Sequence, residues 1–462
     1  MKASTETFFT RDPSFYKTLF SLMIVVSLQN LIAYSVNMTD NIMLGAYSQD
    51  ALSGAATVNQ IFFMVQQITL ALGEALVMLG SQYWGLHKVS PIRRLTGIAV
   101  KAGFIIGAVI VLICHIIPVP ILKIFTNNLD IIAEGVAYLS IVKYSFILFI
   151  ITNILIAALR SVEIVKISFC VSVISLIINV FLNYGLIFGN FGMPELGITG
   201  AAIGTLISRV IELIIVVFYF LKIDDRLQLF SESFMKADPA LRHDYRKSTI
   251  PVVLSNTLWA VSVPMQTAIL GHLPGGVASD VIAANSVAIT FYQYLKVIIV
   301  AMSSTSAVMI GKAIGQNNLS KVKQDARTLS VFSVLIGAVL ALLLFILRAP
   351  LLSLYSLNSS ALVLADQFMV VMCFVMLGMS YQMPVSFGII RGGGDPKFTL
   401  IMCAISTWAI VMPLSLMSAF WWKLPAVWVV LVIQSDQIFK GLPTFLHFRK
   451  YKWIKKLTRD NA

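Results

Sequence analysis

Apolar and polar positions alternate along this chain in long blocks. Apolar runs of about 20 or more residues are separated by short polar stretches, and a run of that length matches the thickness of a bilayer core. Twelve runs can be marked, at roughly 17–45, 52–80, 95–122, 130–158, 165–189, 198–222, 247–273, 281–310, 328–348, 361–388, 397–421 and 425–447. The runs are continuous and lack the period-two alternation of a membrane barrel. The pattern predicts an all-α membrane protein with about twelve transmembrane helices.

Composition agrees. Of 462 residues 58% are hydrophobic and 12% charged, about half the charged share of a soluble domain. The net charge of +13 would suit a nucleic-acid binder only if it covered a soluble face, and it does not. Of the 34 Lys and Arg, 28 fall on one side of the predicted membrane; Lys123, Arg348 and Lys423 fall on the other, and Lys143, Arg209 and Lys296 lie within spans. The expected setting is the plasma membrane (bacterial inner membrane), crossed many times. By the positive-inside rule the charge split predicts both termini in the cytoplasm. That includes the polar stretch from Met1 to Tyr16.

An internal repeat divides the chain. Asp50 and Gly85 recur as Asp280 and Gly315 at an offset of 230, Arg160 and Lys166 as Arg391 and Lys397 at 231, and Leu44-Gly45 as Leu270-Gly271 at 226. The expected organisation is an N-terminal six-helix lobe (1–222), a charged cytoplasmic linker (223–246), a C-terminal six-helix lobe (247–447) and a basic tail (448–462). Two pseudo-symmetric six-helix bundles inserted in the same orientation suit a transporter that works by alternating access.

A carboxylate at membrane depth is costly unless solvated or paired, which makes it a functional candidate. Asp40 lies near the outer end of the first run. Asn179 and Asn183 stand four apart on the fifth, hence on one face, and Thr205 is on the sixth. Together they would form an oxygen-rich, singly charged pocket for Na⁺, with Asp40 as its ligand, or for an exchangeable proton. Asp40 could instead cap a helix end, and the asparagines could serve as helix–helix hydrogen bonds. Glu74, Gln266, Gln293 and Lys296 are candidates for a substrate cavity, although glutamines within spans also act as packing glue. Lys143 would face a wet cavity or an acid, and Arg209 and Glu212, three apart, would satisfy each other.

The histidines form no metal-spaced cluster, and the four cysteines sit singly in apolar segments. No phosphate-binding Walker loop appears, so ATP is not an expected partner. No Ser-His-Asp or HExxH pattern suggests an enzyme. The glycine-rich Gly392-Gly393-Gly394-Asp395 lies in a short turn between spans, a poor place for a phosphate site.

At several of these positions the chain resembles the multidrug and toxic compound extrusion (MATE) family. The resemblance is carried by Asp40-Asn41-Ile42-Met43-Leu44-Gly45, Gln82-Tyr83-Trp84-Gly85, Asn183-Tyr184-Gly185-Leu186-Ile187-Phe188-Gly189, Gly197-Ile198-Thr199-Gly200-Ala201-Ala202 with Thr205, Pro251 with Leu258-Trp259, and Ile390-Arg391-Gly392-Gly393-Gly394-Asp395. It implies Na⁺- or H⁺-driven export of small organic, often cationic, compounds, with no other cofactor. By the same resemblance Asp40 is the first-helix acid, and Asn179, Asn183 and Thr205 surround the N-lobe cation site. Three positions depart from the family pattern. Asn183 stands where some relatives carry a second aspartate, Val25 where many carry a bending proline, and Asn256 where many carry a seventh-helix glutamate. Coupling would therefore run through Asp40 alone. The expected partners are a small-molecule substrate and membrane lipid, with the protein a monomer. A lipid-linked oligosaccharide flippase of similar architecture and an integral membrane enzyme are the competing readings.

Overall fold

The computed structural model describes residues 9–231, 233–234, 236, 238–274, 278–353, 355 and 358–459. The first eight residues of the expected cytoplasmic N-terminus and the last three of the tail lie outside that set. The described residues contain no strand, and eleven of their helices are long and apolar enough to cross a membrane. They are α1 (Pro13–Tyr47), α2 (Gln49–Gly85), α3 (Val89–Ile116), α4 (Leu129–Ser161), α5 (Lys166–Phe188), α6 (Ile198–Lys222), α7 (Pro239–Gly271), α8 (Ala278–Gly315), α9 (Leu319–Leu352), α10 (Ser359–Ile390) and α11 (Pro396–Trp421).

The twelfth apolar run is helical but broken. It forms α12 (Ala426–Gln434), α13 (Asp436–Phe439) and α14 (Gly441–Arg449). Pro443 supplies no N–H for the carbonyl four residues back, which ends one ladder and starts another. Lys440, one of the 28 basic residues that the charge count puts on the cytoplasmic side, is instead buried in this segment against Asp436. A charge on the tail side of a hydropathy window is ambiguous until its partner is known.

The helix starts are chemically marked. Ser48 Oγ accepts from the N–H groups of Asp50 and Ala51, Asn128 Oδ1 from those of Asp130 and Ile131, and Asn318 and Asn358 cap α9 and α10 likewise. Each cap satisfies amides that the helix itself leaves open. Asp50 and Asp280 lie in the first turns of α2 and α8, where a negative charge opposes the positive end of the helix dipole.

The chain divides into two compact units. One is built on Leu28–Thr249, the other on Ile250–Thr458 with the residues up to Ser27, so the boundaries fall inside α1 and inside α7. In the first unit α2 lies along α4, and Gly80 permits the approach: a Cβ there would stand 2.8 Å from Ser161 Oγ and 2.9 Å from Ser161 Cβ. Lipid tails are as apolar as leucine, so close packing of small residues holds membrane helices together. The second unit centres on α8, whose Val281, Ala284, Ala288, Tyr292 and Ile299 pack with Leu340 and Leu344 of α9 and with Phe368, Met372 and Met376 of α10. On α9 the exposed Leu335, Val339, Leu342 and Ile346 form the opposite stripe, as a lipid-facing helix requires.

The glycine-rich turn before α11 receives the tail. Lys455 N–H donates to the Gly393 carbonyl at 2.9 Å and Lys455 Nζ pairs with Asp395 at 2.9 Å. Buried Trp453 lies over Gly393, where a Cβ would collide with its ring, and Gly394 has φ +103°. The glycines thus serve chain packing.

The connection after α6 is shaped by two aspartates. Asp224 accepts from the N–H groups of Arg226, Leu227 and Gln228. Asp238 accepts from Leu241 N–H at 2.9 Å and from Arg94 Nη1 at 3.1 Å, so α7 begins at Pro239, within the stretch read from sequence as linker. Partial burial pushes the Asp238 carboxyl up, but the Leu241 N–H, Arg94 and the Ala240 N–H outweigh it and hold it below the ordinary 3.8.

Two outcomes follow. Gly80→Ala should cost about 1–3 kcal/mol by overpacking, seen as a lowered thermal midpoint of detergent-purified protein, with much of the loss recovered in Gly80→Ala/Ser161→Gly. The Asp238 cap is complete above the ordinary carboxylate range and is lost as pH falls below it through the lowered value. Amide exchange at Ala240 and Leu241, corrected for intrinsic rates, should accelerate in that acid window, and Asp238→Ala should show the acceleration already at neutral pH.

Candidate functional site

Within the first unit α1, α2, α4, α5 and α6 surround a polar cavity of about 30 Å³. That is room for an ion or a water or two and excludes a drug-sized molecule. Helical spacing aims each contributor inward: Asn37 and Asp40 are three apart on α1, Asn59 and Phe62 three apart on α2, and Thr205 and Arg209 four apart on α6. Tyr138 enters from α4 and Asn179 from α5.

The four residues read from sequence as one cation site lie together. Asn183 Nδ2 donates to Asp40 Oδ1 at 2.6 Å and to Asn179 Oδ1 at 3.3 Å. The two asparagines are buried, at 2% and 0% exposure, so the amides form a short ladder that ends on the carboxylate. Gly204 makes this possible, since a Cβ there would collide with Asn183 Oδ1. Thr205 Oγ1, in the cavity wall, and Asn183 Oδ1 are buried oxygens with no hydrogen-bond partner among the described residues. The Tyr138 side chain is a neighbour of both Thr205 and Asp40.

Arg209 changes the electrostatics. Its Nη1 donates to both carboxylate oxygens of Glu212 at 2.8 Å, and its guanidinium lies 5.0 Å from the Phe149 ring centroid. The pair expected at this spacing is present, but Arg209 also lines the cavity and acts electrostatically on Asp40. Sequence reading paired Arg209 with Glu212 and did not link either to Asp40. The signal that Arg209 belonged to the site was its position one turn beyond Thr205.

The other candidates lie elsewhere. Glu74 is within electrostatic reach of Arg160, and neither lines the cavity. Gln266 is partly buried and Gln293 exposed, both in the second unit. Lys296, also in that unit, holds its ammonium 5.4 Å from the Trp259 ring centroid and acts electrostatically on Asp436. Asp436 in turn pairs with Lys440 at 2.6 Å, and Lys440 reaches Thr407 Oγ1 at 3.4 Å. Sequence reading missed this second buried cluster. Lys143 Nζ lies 3.0 Å from His115 Nδ1.

As a cation site the cavity offers one carboxylate, the Thr205 hydroxyl and amide oxygens. Hard cations take oxygen ligands of this kind. No group of three or more His, Cys, Asp or Glu is placed to hold a metal among the described residues. The donor set therefore fits a monovalent ion or a proton better than a tightly held divalent metal.

Comparison with known proteins places these features in context. The sequence model of the MatE family matches residues 26–185 and again 251–417, one match in each half. The chain is 23% identical to the probable multidrug resistance protein NorM of Thermotoga maritima, over 97% of this chain and 96% of that one. It is 22% identical to the probable multidrug resistance protein YoeA of Bacillus subtilis, over 93% of each. Among solved structures its fold is similar to that of the Vibrio cholerae MATE transporter VcmN (TM-score 0.86, 19% identity, 96% of this chain and 98% of that one). It is also similar to the eukaryotic MATE transporter AtDTX14 (TM-score 0.84, 16% identity, 96% and 97%).

Removing one partner of a buried ion pair strands the other, at a cost of about 3–5 kcal/mol. Arg209→Gln should therefore destabilise the protein, and Arg209→Gln/Glu212→Gln should recover most of the loss. Thermal midpoints of the single and double variants in detergent measure this directly.

Proposed function

From the premise that this chain belongs to the MatE family of multidrug and toxic compound extrusion transporters, we propose that it is a cation-coupled antiporter. It would export small organic compounds by alternating access, with Asp40 carrying the coupling ion. The observation that carries this reading is the cavity itself. A membrane-depth carboxylate shares a small cavity with the Thr205 hydroxyl and is gripped on one oxygen by the Asn183 amide.

Na⁺ would bind Asp40 with Thr205 and the asparagine side-chain oxygens, supplying charge neutralisation without a proton. For Asn183 this requires a turn of the amide, because its N–H now points at Asp40 and its Oδ1 lies against Gly204. A proton needs only the second oxygen of Asp40. In either case loading neutralises the carboxylate, which changes the cost of closing a dry environment around it.

The driving force is adequate. One charge moving inward through ~100 mV supplies ~2.3 kcal/mol. At ~1.4 kcal/mol per decade that sustains a gradient of about fifty-fold in a neutral solute.

The expected setting is the bacterial inner membrane, with both termini in the cytoplasm and the protein acting as a monomer. A flippase for lipid-linked oligosaccharides would need free cations for a diphosphate. Of the cations read from sequence as lying within spans, Arg209 is engaged by Glu212 and Lys143 by His115, which weighs against it.

The test is efflux from proteoliposomes with pH and Na⁺ gradients imposed separately. Asp40→Asn should abolish gradient-driven efflux while the protein stays folded and monodisperse. Full efflux by that variant would remove Asp40 from the coupling step.

A further inference from the structure

Arg209 uses only part of its donor capacity. Nη1 makes both contacts to Glu212, while Nη2 and Nε have no hydrogen-bond partner among the described residues, on a guanidinium that lines the cavity with Asp40. The charged and titratable groups facing Asp40 can be taken helix by helix. α1 brings Asp40 itself, and α2 brings Asn59 and Phe62, which carry no charge. α4 brings the Tyr138 hydroxyl, α5 the neutral Asn179 and Asn183, and α6 Arg209 with Glu212 behind it. The only fixed cation in this set is Arg209, bonded to Glu212 and within electrostatic reach of Asp40.

We propose that Arg209 is a built-in counter-cation that makes the Asp40 site select protons over Na⁺, exchanging its guanidinium between Glu212 and Asp40 as Asp40 loses and gains a proton. With Asp40 protonated, Arg209 rests on Glu212 as seen here. When the proton leaves, the free Nη2 and Nε meet the new charge, and a Na⁺ entering the cavity would face a guanidinium already there. A proton is small enough to load Asp40 without displacing Arg209, whereas Na⁺ is not. Arg209 is thus a positioning residue for the coupling ion. The inference rests on the antiport reading, specifically on Asp40 as the ion carrier.

The measurement is ²²Na⁺ binding to purified protein alongside efflux in proteoliposomes under separate proton and Na⁺ gradients. Wild type should couple efflux to the proton gradient and bind Na⁺ weakly. Arg209→Gln/Glu212→Gln removes one charge of each sign, so the cavity keeps its net charge but loses the tethered cation. Its Na⁺ affinity should rise about tenfold or more, about 1.4 kcal/mol per decade, and adding Asp40→Asn should cancel the gain.

Glu212→Gln alone should do the reverse. It frees Arg209 for Asp40 and should move the pH of half-maximal efflux about one unit toward acid, as an opposite charge nearby does. A merely structural role for the pair would move neither readout. Strong Na⁺ binding by wild type, or equal Na⁺ affinity in the folded double variant with no pH shift in Glu212→Gln, would overturn the inference and leave Asp40 as carrier intact. Loss of coupling in no Asp40 variant would instead remove the antiport reading beneath it.

Discussion

Charge at membrane depth is the constraint from which the rest of this structure follows. Water is absent there, so each buried ionic group needs a partner, a hydrogen-bonding shell or a means of becoming neutral. Arg209 has Glu212, Lys440 has Asp436, and Glu74 has Arg160 within electrostatic reach. Asp40 has an amide on one oxygen and no dedicated cation of its own. An acid in a small cavity whose nearest cation is bonded to another carboxylate is suited to taking up and releasing an ion.

The surrounding packing serves that acid. Gly204 gives Asn183 the space to reach across from α5, and the i, i+4 spacing of Asn179 and Asn183 holds the amide in line. The cavity is only about 30 Å³, so a change of one charge is felt by every group lining it. The helices themselves are fixed by side-chain caps at their starts, by small residues at their crossings and by buried apolar cores, with stripes such as Leu335, Val339, Leu342 and Ile346 turned outward.

Much of this was legible in the sequence. The spans were, because a bilayer demands long apolar runs and little else produces them. The grouping of Asp40, Asn179, Asn183 and Thr205 followed from helical spacing together with the family resemblance. The break in the last run was hidden because its mean hydropathy is that of an ordinary span; Pro443 and the buried Asp436–Lys440 pair are visible only as single residues. Lys440 was misplaced for the same reason. Arg209 was read as the partner of Glu212, which it is, but three-residue spacing says nothing of what lies on the far side of a guanidinium. The role of the glycine-rich turn also needed the structure, since Trp453 lies about 60 residues away in sequence.

The sequences of the two halves duplicate a helix plan but not a charge plan. The first unit gathers Asp40, Arg209 and Glu212, two acids about one base; the second gathers Lys296, Asp436 and Lys440, two bases about one acid. The two units thus differ in the balance of their buried charges, and the proposed coupling role falls on Asp40 alone. Infrared difference spectroscopy of the purified protein over a pH titration tests that most directly. A protonated-carboxyl band that titrates in wild type and is missing in Asp40→Asn is the expected result. A titrating band that survives the substitution unchanged, or no titrating carboxyl at all, would contradict it.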